Sequence, residues 1–281
     1  MSQLIQMNQR INAIETIKKI THATRLIAMS SHTRLANKEP ILTHYKNKIT
    51  QLFAQLINYK KDFYKTLFNF SPTANGSLII LVGSQKGFCG TFNVMLFKFF
   101  ESKFSHLTKD DGIIAIGKKA ADYLKKKKIQ PLEIFSNLSS TTLNNITDLI
   151  SEFIEQQIPN YKEVIIISNE PKSFFLQKPH LTMLLPIAPL PEKKQLPFDT
   201  YIWPESEQQI LKNLGNLYLS VNLNAILFSS LVSEQAARFQ SMDNATRNAE
   251  ELLDVMRRDY NKLRQTKITR ELIELTSSFE R

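Results

Sequence analysis

The spacing of hydrophobic residues at the two ends of the chain predicts long helices. Residues 205–281 contain no proline and one glycine. An unbroken helix over that range would be on the order of 110 Å long at 1.5 Å per residue. A compact domain built from the roughly 130 middle residues would be only about 35 to 40 Å across. A helix of this length cannot bury its apolar stripe against its own domain, so we expect it to project as a shaft.

Near the C-terminus the apolar positions alternate in steps of four and three, which is the spacing of a coiled-coil seam. The regular part of the seam is followed by a looser continuation toward the end of the chain. The regular part is Met242, Thr246, Ala249, Leu253, Met256, Tyr260 and Leu263, and the continuation is Ile268, Leu272, Leu275 and Phe279.

The N-terminal segment carries a matching helical pattern. Residues 2–39 contain neither proline nor glycine, and Pro40 is expected to bend the helix rather than end it, because helical spacing resumes at Ile49. Stripes at both ends, with other elements between them, favour an antiparallel coiled coil; the alternative is an ordinary helical bundle with both stripes in its core. The N-terminal stripe is Leu4, Met7, Ile11, Ile14, Ile17 and Ile20.

The middle of the chain predicts an α/β domain with a mostly parallel, Rossmann-like sheet. Its short apolar runs lack the alternation of a half-exposed strand, which indicates strands buried on both faces. The predicted strands are 78–82, 113–116, 164–167 and 183–185, the predicted helices are 92–104, 118–127 and 144–157, and 171–204 is expected to be a strand with irregular loop. We therefore divide the chain into an N-terminal shaft helix (1–60), a central domain (75–204) and a C-terminal shaft helix (205–281).

The amino-acid composition indicates which kind of partner the chain binds and excludes several classes of protein. A formal net charge of +10 and a pI near 9.5 suggest an acidic partner, which can be nucleic acid, an anionic membrane surface or a protein with carboxylate clusters. The single cysteine, Cys89, excludes an internal disulfide framework, and the histidines show no metal-ligand spacing. No uninterrupted apolar run reaches membrane-spanning length and no signal core is present, so we expect a soluble intracellular protein.

The loop after the first predicted strand does not fit a nucleotide-binding motif. In the segment Gly83-Ser-Gln-Lys-Gly-Phe-Cys-Gly90 the lysine precedes the second glycine, and the G-x-G-x-x-G pattern is absent. We interpret this loop as a backbone turn and Cys89 as a small buried residue rather than a nucleophile. The lysines at 125–128 are interpreted as a solvated helix end rather than a nucleic-acid patch. No catalytic, cofactor-binding or metal-binding residues are predicted.

Several motifs, in order along the chain, resemble those of the gamma subunit of the F-type ATP synthase. The strongest is Ser233-Glu-Gln-Ala-Ala-Arg238, followed by Met242-Asp-Asn-Ala-Thr246. Gly87-Phe-Cys-Gly-Thr-Phe-Asn93 is similar to that family's Gly-Leu-Cys-Gly-x-Phe-Asn turn, and Arg10-Ile11 with Lys19-Ile-Thr21 is similar to its N-terminal helix. Because further matches continue to Leu272, the resemblance covers essentially the whole chain.

The resemblance implies a non-catalytic rotor shaft. In that family the terminal helices form a coiled coil inside a ring of three alpha and three beta subunits, and the α/β domain lies below the ring, near the epsilon subunit and the membrane c-ring. It also implies contact residues. The basic residues expected to face an acidic lever loop of the beta subunits are Arg10, Lys18, Lys19, Arg25, Arg257, Arg258 and Lys262. The residues expected in the apolar bearing are Ile268, Leu272 and Leu275, and those expected to meet the c-ring and epsilon are Tyr201, Ile202 and Trp203.

Three residues depart from the family pattern. Gln85 replaces the usual aspartate of the turn, and His22 and Thr24 replace the usual lysine and methionine, so contacts of those side chains are in doubt. The absence of a transit segment favours a bacterial protein on the cytoplasmic face of the plasma membrane. Two other classes remain open on the residues alone, a basic nucleic-acid-binding protein with a coiled-coil arm and an α/β enzyme with a helical arm.

Overall fold

The computed structural model describes residues 2–59, 74–105, 107–139, 141–187 and 207–279. Within these ranges long helices flank a central set of strands and shorter helices. The helices are α1 (Ser2–Ala36), α2 (Glu39–Tyr59), α3 (Phe92–Lys103), α4 (Lys118–Lys126), α5 (Leu143–Gln157) and α6 (Glu207–Phe279), with a short 3₁₀ helix at Ile158–Asn160. The strands are β1 (Ser77–Val82), β2 (Gly112–Ile116), β3 (Glu133–Phe135), β4 (Glu163–Ser173) and β5 (Leu176–Leu185).

The strands form one mostly parallel sheet in the order β3-β2-β1-β4-β5. β1 lies at the centre, where Ile79 pairs with Ile113 on one side and with Ile165 on the other, both in parallel register. Only β5 runs antiparallel, as the second strand of a hairpin with β4. The predicted fold class, long terminal helices with a central, mostly parallel α/β domain, is therefore confirmed.

Helices cover both faces of the sheet, which explains why all six residues of β1 are buried. Successive side chains of a strand point to opposite faces. Ile80 and its neighbours on one face contact α5, α2 and the first part of α6. Ile79 and Leu81 on the other face lie in a cluster with Leu96 of α3 and Leu124 of α4. The continuous Ile, Leu and Val runs in the sequence therefore have their origin in two-sided burial.

The junction of α1 and α2 differs from the expected bend. α1 ends at Ala36 and α2 begins at Glu39, after two residues in a turn. The Lys38 N–H donates to the Leu35 carbonyl oxygen at 2.9 Å and closes the last turn of α1. Pro40 occupies the second position of α2, where first-turn amides have no intrahelical acceptor, so its missing N–H costs little. The prediction of one bent helix was wrong, because the first helix ends at Ala36 and a second helix, with Pro40 in its first turn, begins at Glu39.

The chain forms two compact units. The described residues of the first unit are 2–30 and 238–279, which are parts of α1 and α6. The second contains residues 31–237 and holds the sheet, the shorter helices and the first part of α6. By length and composition a stretch of α6 within Lys212–Thr276 is apolar enough to cross a membrane, which the search for uninterrupted apolar runs missed. Because 61% of that stretch is buried in the protein, core packing accounts for its composition.

Candidate partner-contact surface

The first unit is a pair of antiparallel helices tied together by side-chain contacts. Successive contacts between the helices join lower residue numbers of α1 to higher residue numbers of α6, so the two helices run antiparallel. Thr21 and Thr246 are both buried, and the Thr246 hydroxyl lies 2.9 Å from that of Thr21. Three ion pairs cross between the helices, namely Arg25–Asp243 at 2.7 Å, Lys18–Glu250 at 2.5 Å and Arg257–Glu15 at 2.5 Å.

The seam predicted on α6 is present over most of its length. Its first four positions are buried, Met256 and Tyr260 are half-buried, and Leu263 is 40% exposed. The register set by Glu15 and Arg257 leaves too little of α1 to lie opposite the end of α6. The last residues of α6 therefore extend past the start of α1.

The stripe predicted on α1 is wrong in its second half. Ile17 and Ile20 are 48% and 61% exposed, although the alternation of apolar residues placed them on the seam. The four-three repeat that begins at Leu4 instead continues through polar or small residues. These are Lys18, Thr21, Arg25 and Ala28, each half-buried or buried. The seam is apolar at one end of α1 and polar in the middle, so an apolar pattern alone could not trace it.

The ion pairs lower the pKa of two acidic residues on α6, Asp243 and Glu250. The hydrogen bond from Arg25, together with the positive charges of Arg247 and Arg25, holds the pKa of Asp243 below its usual range. A hydrogen bond from Lys18 has the same effect on the pKa of Glu250. Both carboxylates are accessible to water, so each pair contributes only modestly to stability.

A groove of about 560 Å³ lies between the two helices around these pairs. His22 stands at its edge, with its Nδ1 atom 3.2 Å from Arg25 Nη2. Cations outnumber carboxylates in its lining, so its surface carries a positive charge that suits an acidic partner. The charged residues of the lining are Lys18, Lys19, Arg25, Arg247 and Arg257, with Glu15, Glu250 and Asp254.

The seven basic residues predicted to contact a partner fall into two groups. Lys18, Arg25 and Arg257 each have a carboxylate partner on the opposite helix. The other four are exposed and form no ion pair with any residue that the structure describes; they are Arg10, Lys19, Arg258 and Lys262.

The acidic partners were missed at the sequence level, although a signal exists. Lys18 and Arg25 are seven residues apart, and so are Asp243 and Glu250, which is the spacing of facing heptad positions.

The remaining predicted contact residues are exposed or outside the described ranges. Ile268, Leu272 and Leu275 are 48%, 57% and 56% exposed. Tyr201, Ile202 and Trp203 lie outside the described residues. The contact roles of these residues stay predictions.

The glycine-containing loop after β1 is held by its own side chains. Ser84 N–H donates to Asn93 Oδ1 at 3.0 Å, and Gln85 Oε1 accepts from the backbone N–H groups of Lys118 and Asn137 at 3.2 and 3.1 Å. Gln85 thus makes backbone hydrogen bonds to α4 and to the segment after β3. Cys89 is buried beside Phe92 and Ala237, as expected of a small core residue. No cluster of three or more potential metal ligands occurs among the described residues.

Comparison with known proteins gives consistent results along the whole chain. A protein family described as ATP synthase matches residues 3–280. The ATP synthase gamma chain of Clostridium perfringens is 30% identical over 280 residues, which cover 99% of this chain and 97% of that relative. The gamma chain of Christiangramia forsetii is 29% identical, with 100% and 99% covered. These comparisons give no support to a nucleic-acid-binding protein.

Solved structures share the fold. A chain of the Euglena gracilis mitochondrial ATP synthase, from a structure of OSCP, F1 and the c-ring, matches with a TM-score of 0.71 at 15% identity. That match covers 99% of this chain and 94% of the other. A chain of the Tetrahymena thermophila central stalk and c-ring matches with a TM-score of 0.59 at 20% identity, covering 80% and 99%.

Proposed function

The chain belongs to the ATP synthase gamma-chain family, and on that premise we propose that it is the central rotor stalk subunit of an F-type ATP synthase. Its task is to couple rotation of a membrane c-ring to ATP synthesis or hydrolysis in a ring of alpha and beta subunits. The observation that supports this most directly is the antiparallel helix pair with its cross-helix ion pairs, in a chain that matches gamma chains from end to end.

We propose that the chain itself is non-catalytic and binds no cofactor. The catalytic sites belong to the alpha and beta subunits, and the stalk acts on them by contact. A stalk that touches three equivalent beta subunits differently gives each a different preferred conformation. To move one subunit from 1:99 to 99:1 between two conformations, the contacts must discriminate by about 5.5 kcal/mol. Many weak contacts must therefore act together.

The proposed contacts follow the division of the chain. The helices of 1–60 and 205–281 meet the alpha and beta subunits, and Tyr201, Ile202 and Trp203 in the 75–204 domain meet the c-ring and the epsilon subunit. The complex holds the chain peripherally on the cytoplasmic face of a bacterial plasma membrane. Cysteine cross-linking from position 203 to the c-ring tests the second contact, and failure under conditions that trap neighbouring positions contradicts it.

The ion pairs within the helix pair support a division of the basic residues into two roles. We propose that Arg10, Lys19, Arg258 and Lys262, which have no carboxylate partner among the described residues, are the ones available to an acidic lever loop of beta. The other three basic residues stabilise the helix pair. An exposed ion pair contributes about 0 to 1 kcal/mol. Loss of four such pairs at about 0.5 kcal/mol each amounts to roughly 2 kcal/mol, or about 30-fold in affinity.

Reconstitution tests the function and the contact together. The full chain is mixed with alpha and beta subunits from the same genome, and we expect a single complex with ATPase activity. Reversal of Arg10, Lys19, Arg258 and Lys262 to glutamate is expected to weaken assembly about 30-fold. The matched control reverses four exposed lysines of the second unit, Lys109, Lys125, Lys126 and Lys128, which changes the net charge equally. If both quadruple variants behave alike, the lever-loop contact is wrong; if the unmodified chain does not assemble, the proposed function is wrong.

A further inference from the structure

β4 and β5 continue past the rest of the sheet as a two-stranded arm. The pairing between β1 and β4 ends at Leu81 and Ile167, whereas the pairing between β4 and β5 continues as far as Ser173 and Leu176. In the strand pairing, residues 168–180, called the arm below, therefore have only each other. At about 3.3 Å per residue, the longer strand of the arm is roughly 20 Å in length, so its tip lies well away from β1.

The base of the arm is fixed in the core. Ser168 and Asn169 are buried, and the Asn169 side-chain amide donates to the Phe92 carbonyl oxygen at 3.2 Å. Pro171 and Pro179 lie farther out, one on each strand, and proline cannot donate a hydrogen bond to a further strand. Because a two-stranded hairpin alone is marginally stable, the arm depends on contacts at its base and at its tip.

The tip of the arm contacts α1 through one of two adjacent phenylalanines. The Phe174 ring meets the His32 ring edge to face, with centroids 4.8 Å apart and planes at 84°. The Gln177 side chain donates to the Phe174 carbonyl oxygen at 2.7 Å and holds the turn in shape. Phe175, in contrast, is 73% exposed. Burial lowers the pKa of His32, so its ring is uncharged at neutral pH and packs as an aromatic surface.

This contact lies one helical turn before the joint between α1 and α2. α1 ends four residues after His32, and two residues in a turn separate its end from Glu39. Beyond the joint, α2 is tied to α6, because the Ser229 hydroxyl donates to Glu39 Oε1 at 3.0 Å and the Phe53 and Tyr218 rings lie 4.9 Å apart. The arm thus contacts the helix before the joint, and α6 holds the helix after it.

We propose that the arm is a brace that fixes the angle between α1 and α2. Hinges form at the few residues between rigid elements, and here those residues are Asn37 and Lys38. While the tip contacts α1, a change of this angle must break the ring contact or bend the arm. Leu35 also packs in the core, so loss of the tip contact loosens the joint without unfolding it.

The consequence for a rotor rests on the proposed function. α6 is one continuous helix, whereas the N-terminal part of the chain crosses from α2 to α1 through a turn. A turn that bends freely transmits little torque. With the brace in place, α1 carries part of the torque beside α6.

Hydrogen exchange of the full chain tests the brace, because opening at a helix end exposes its amides. In Phe174→Ala, a peptide covering 31–42 is expected to exchange about fivefold faster, the effect of losing one aromatic contact. Phe175→Ala is the matched control, since it removes the neighbouring, exposed ring and is expected to leave exchange unchanged. Peptides from β1 and α4 report on global stability and are expected to exchange alike in both variants.

Two substitutions of His32 remove or keep the same contact from the other side. His32→Ala is expected to reproduce the faster exchange, whereas His32→Phe keeps an aromatic ring and is expected to exchange as the unmodified chain does. The brace is wrong if Phe174→Ala and Phe175→Ala exchange at the same rate, or if His32→Ala leaves the peptide unchanged.

Single-molecule rotation tests the load on the joint. The chain is assembled with a surface-fixed ring of alpha and beta subunits, and a bead is attached to the second unit through Lys109→Cys, an exposed position. During a catalytic dwell, the angular variance of the bead is expected to rise in Phe174→Ala, toward a doubling if both helices carry equal shares. Equal variance in Phe174→Ala and Phe175→Ala overturns the load-bearing role. If the unmodified chain does not join the ring, the proposed function fails, and exchange of the free chain decides the brace independently.

Discussion

The hydroxyl pair of Thr21 and Thr246 gives the sharpest test of how the helix pair is held. Both side chains are buried in the seam, between the Arg25–Asp243 and Lys18–Glu250 ion pairs. The Thr246 hydroxyl is 2.9 Å from that of Thr21 and 2.7 Å from the Met242 carbonyl oxygen. The Thr21 hydroxyl is 3.0 Å from the Lys18 carbonyl oxygen. Either hydroxyl therefore keeps a carbonyl acceptor when the other is removed.

Substitution by valine preserves the shape and removes the hydroxyl. Thr21→Val and Thr246→Val each abolish the cross-helix hydrogen bond and leave one oxygen facing a methyl group, so each is expected to cost about 1 kcal/mol. The double variant puts two methyl groups in contact, and replacement of both partners by apolar groups of the same shape is nearly neutral. The double-mutant cycle is thus expected to give a coupling free energy of about −2 kcal/mol.

Urea unfolding of the full chain, followed by far-UV circular dichroism, measures these differences from the midpoints at constant m-value. Thr266→Val is the control, because Thr266 is exposed and its hydroxyl bonds only to its own helix at Lys262. That change is expected to stay within about 0.5 kcal/mol. Additive single effects, with a double variant near 2 kcal/mol less stable, refute the reasoning and show that the two hydroxyls act independently.

Three further predictions concern the second unit. Gln85→Ala removes the acceptor for the Lys118 and Asn137 amides and is expected to cost about 1 to 2 kcal/mol of unfolding free energy by thermal denaturation, whereas Gln85→Glu keeps the acceptor and much of the stability. Gly117→Ala is expected to cost more than about 2 kcal/mol, because φ is +85° and the new Cβ lies 2.3 Å from the Gly83 carbonyl oxygen; Gly87→Ala, whose nearest atom is 3.9 Å away, is the control, and equal losses contradict the argument. Burial raises the pKa of Glu39 above its usual 4.5, so the folded state holds the proton more tightly and stability falls as pH rises above 4.5. Glu39→Gln is expected to raise the melting temperature at pH 7 and to lose that advantage near pH 4; a constant difference across pH indicates another cause.

The sequence predicts those parts of the fold that depend on burial. Runs such as 78–82 have no polar positions because both faces of β1 are covered, so the pattern identifies the strand directly. β3 was missed because it has three residues at the sheet edge, and Glu133 and Ile134 within it are exposed. β4 extends to Ser173, past Pro171, because it continues into a hairpin with β5. The local sequence pattern did not predict this hairpin.

The contact surface is less predictable, because it depends on pairing between distant parts of the chain. Ile17 and Ile20 match a helical stripe as well as the seam residues do, and only α6 decides which stripe is buried. Lys18 and Arg25 are basic like Lys19, yet their carboxylate partners are more than 200 residues away in sequence. Composition gives the number of cations but not which of them are already paired.

Because the helix pair joins the two ends of the chain, it cannot form until translation of the chain is nearly complete. Arg25 and Asp243 are separated by 218 positions. At about 5 to 20 residues per second, a ribosome needs roughly 10 to 45 s to make the intervening polypeptide. During that interval Leu4, Met7, Ile11 and Ile14 have been translated, but the residues of α6 that pack against them have not. The sheet unit can mature while the nascent chain is still tethered, but the N-terminal helix must wait, shielded by chaperones or by its own solubility, until the end of translation.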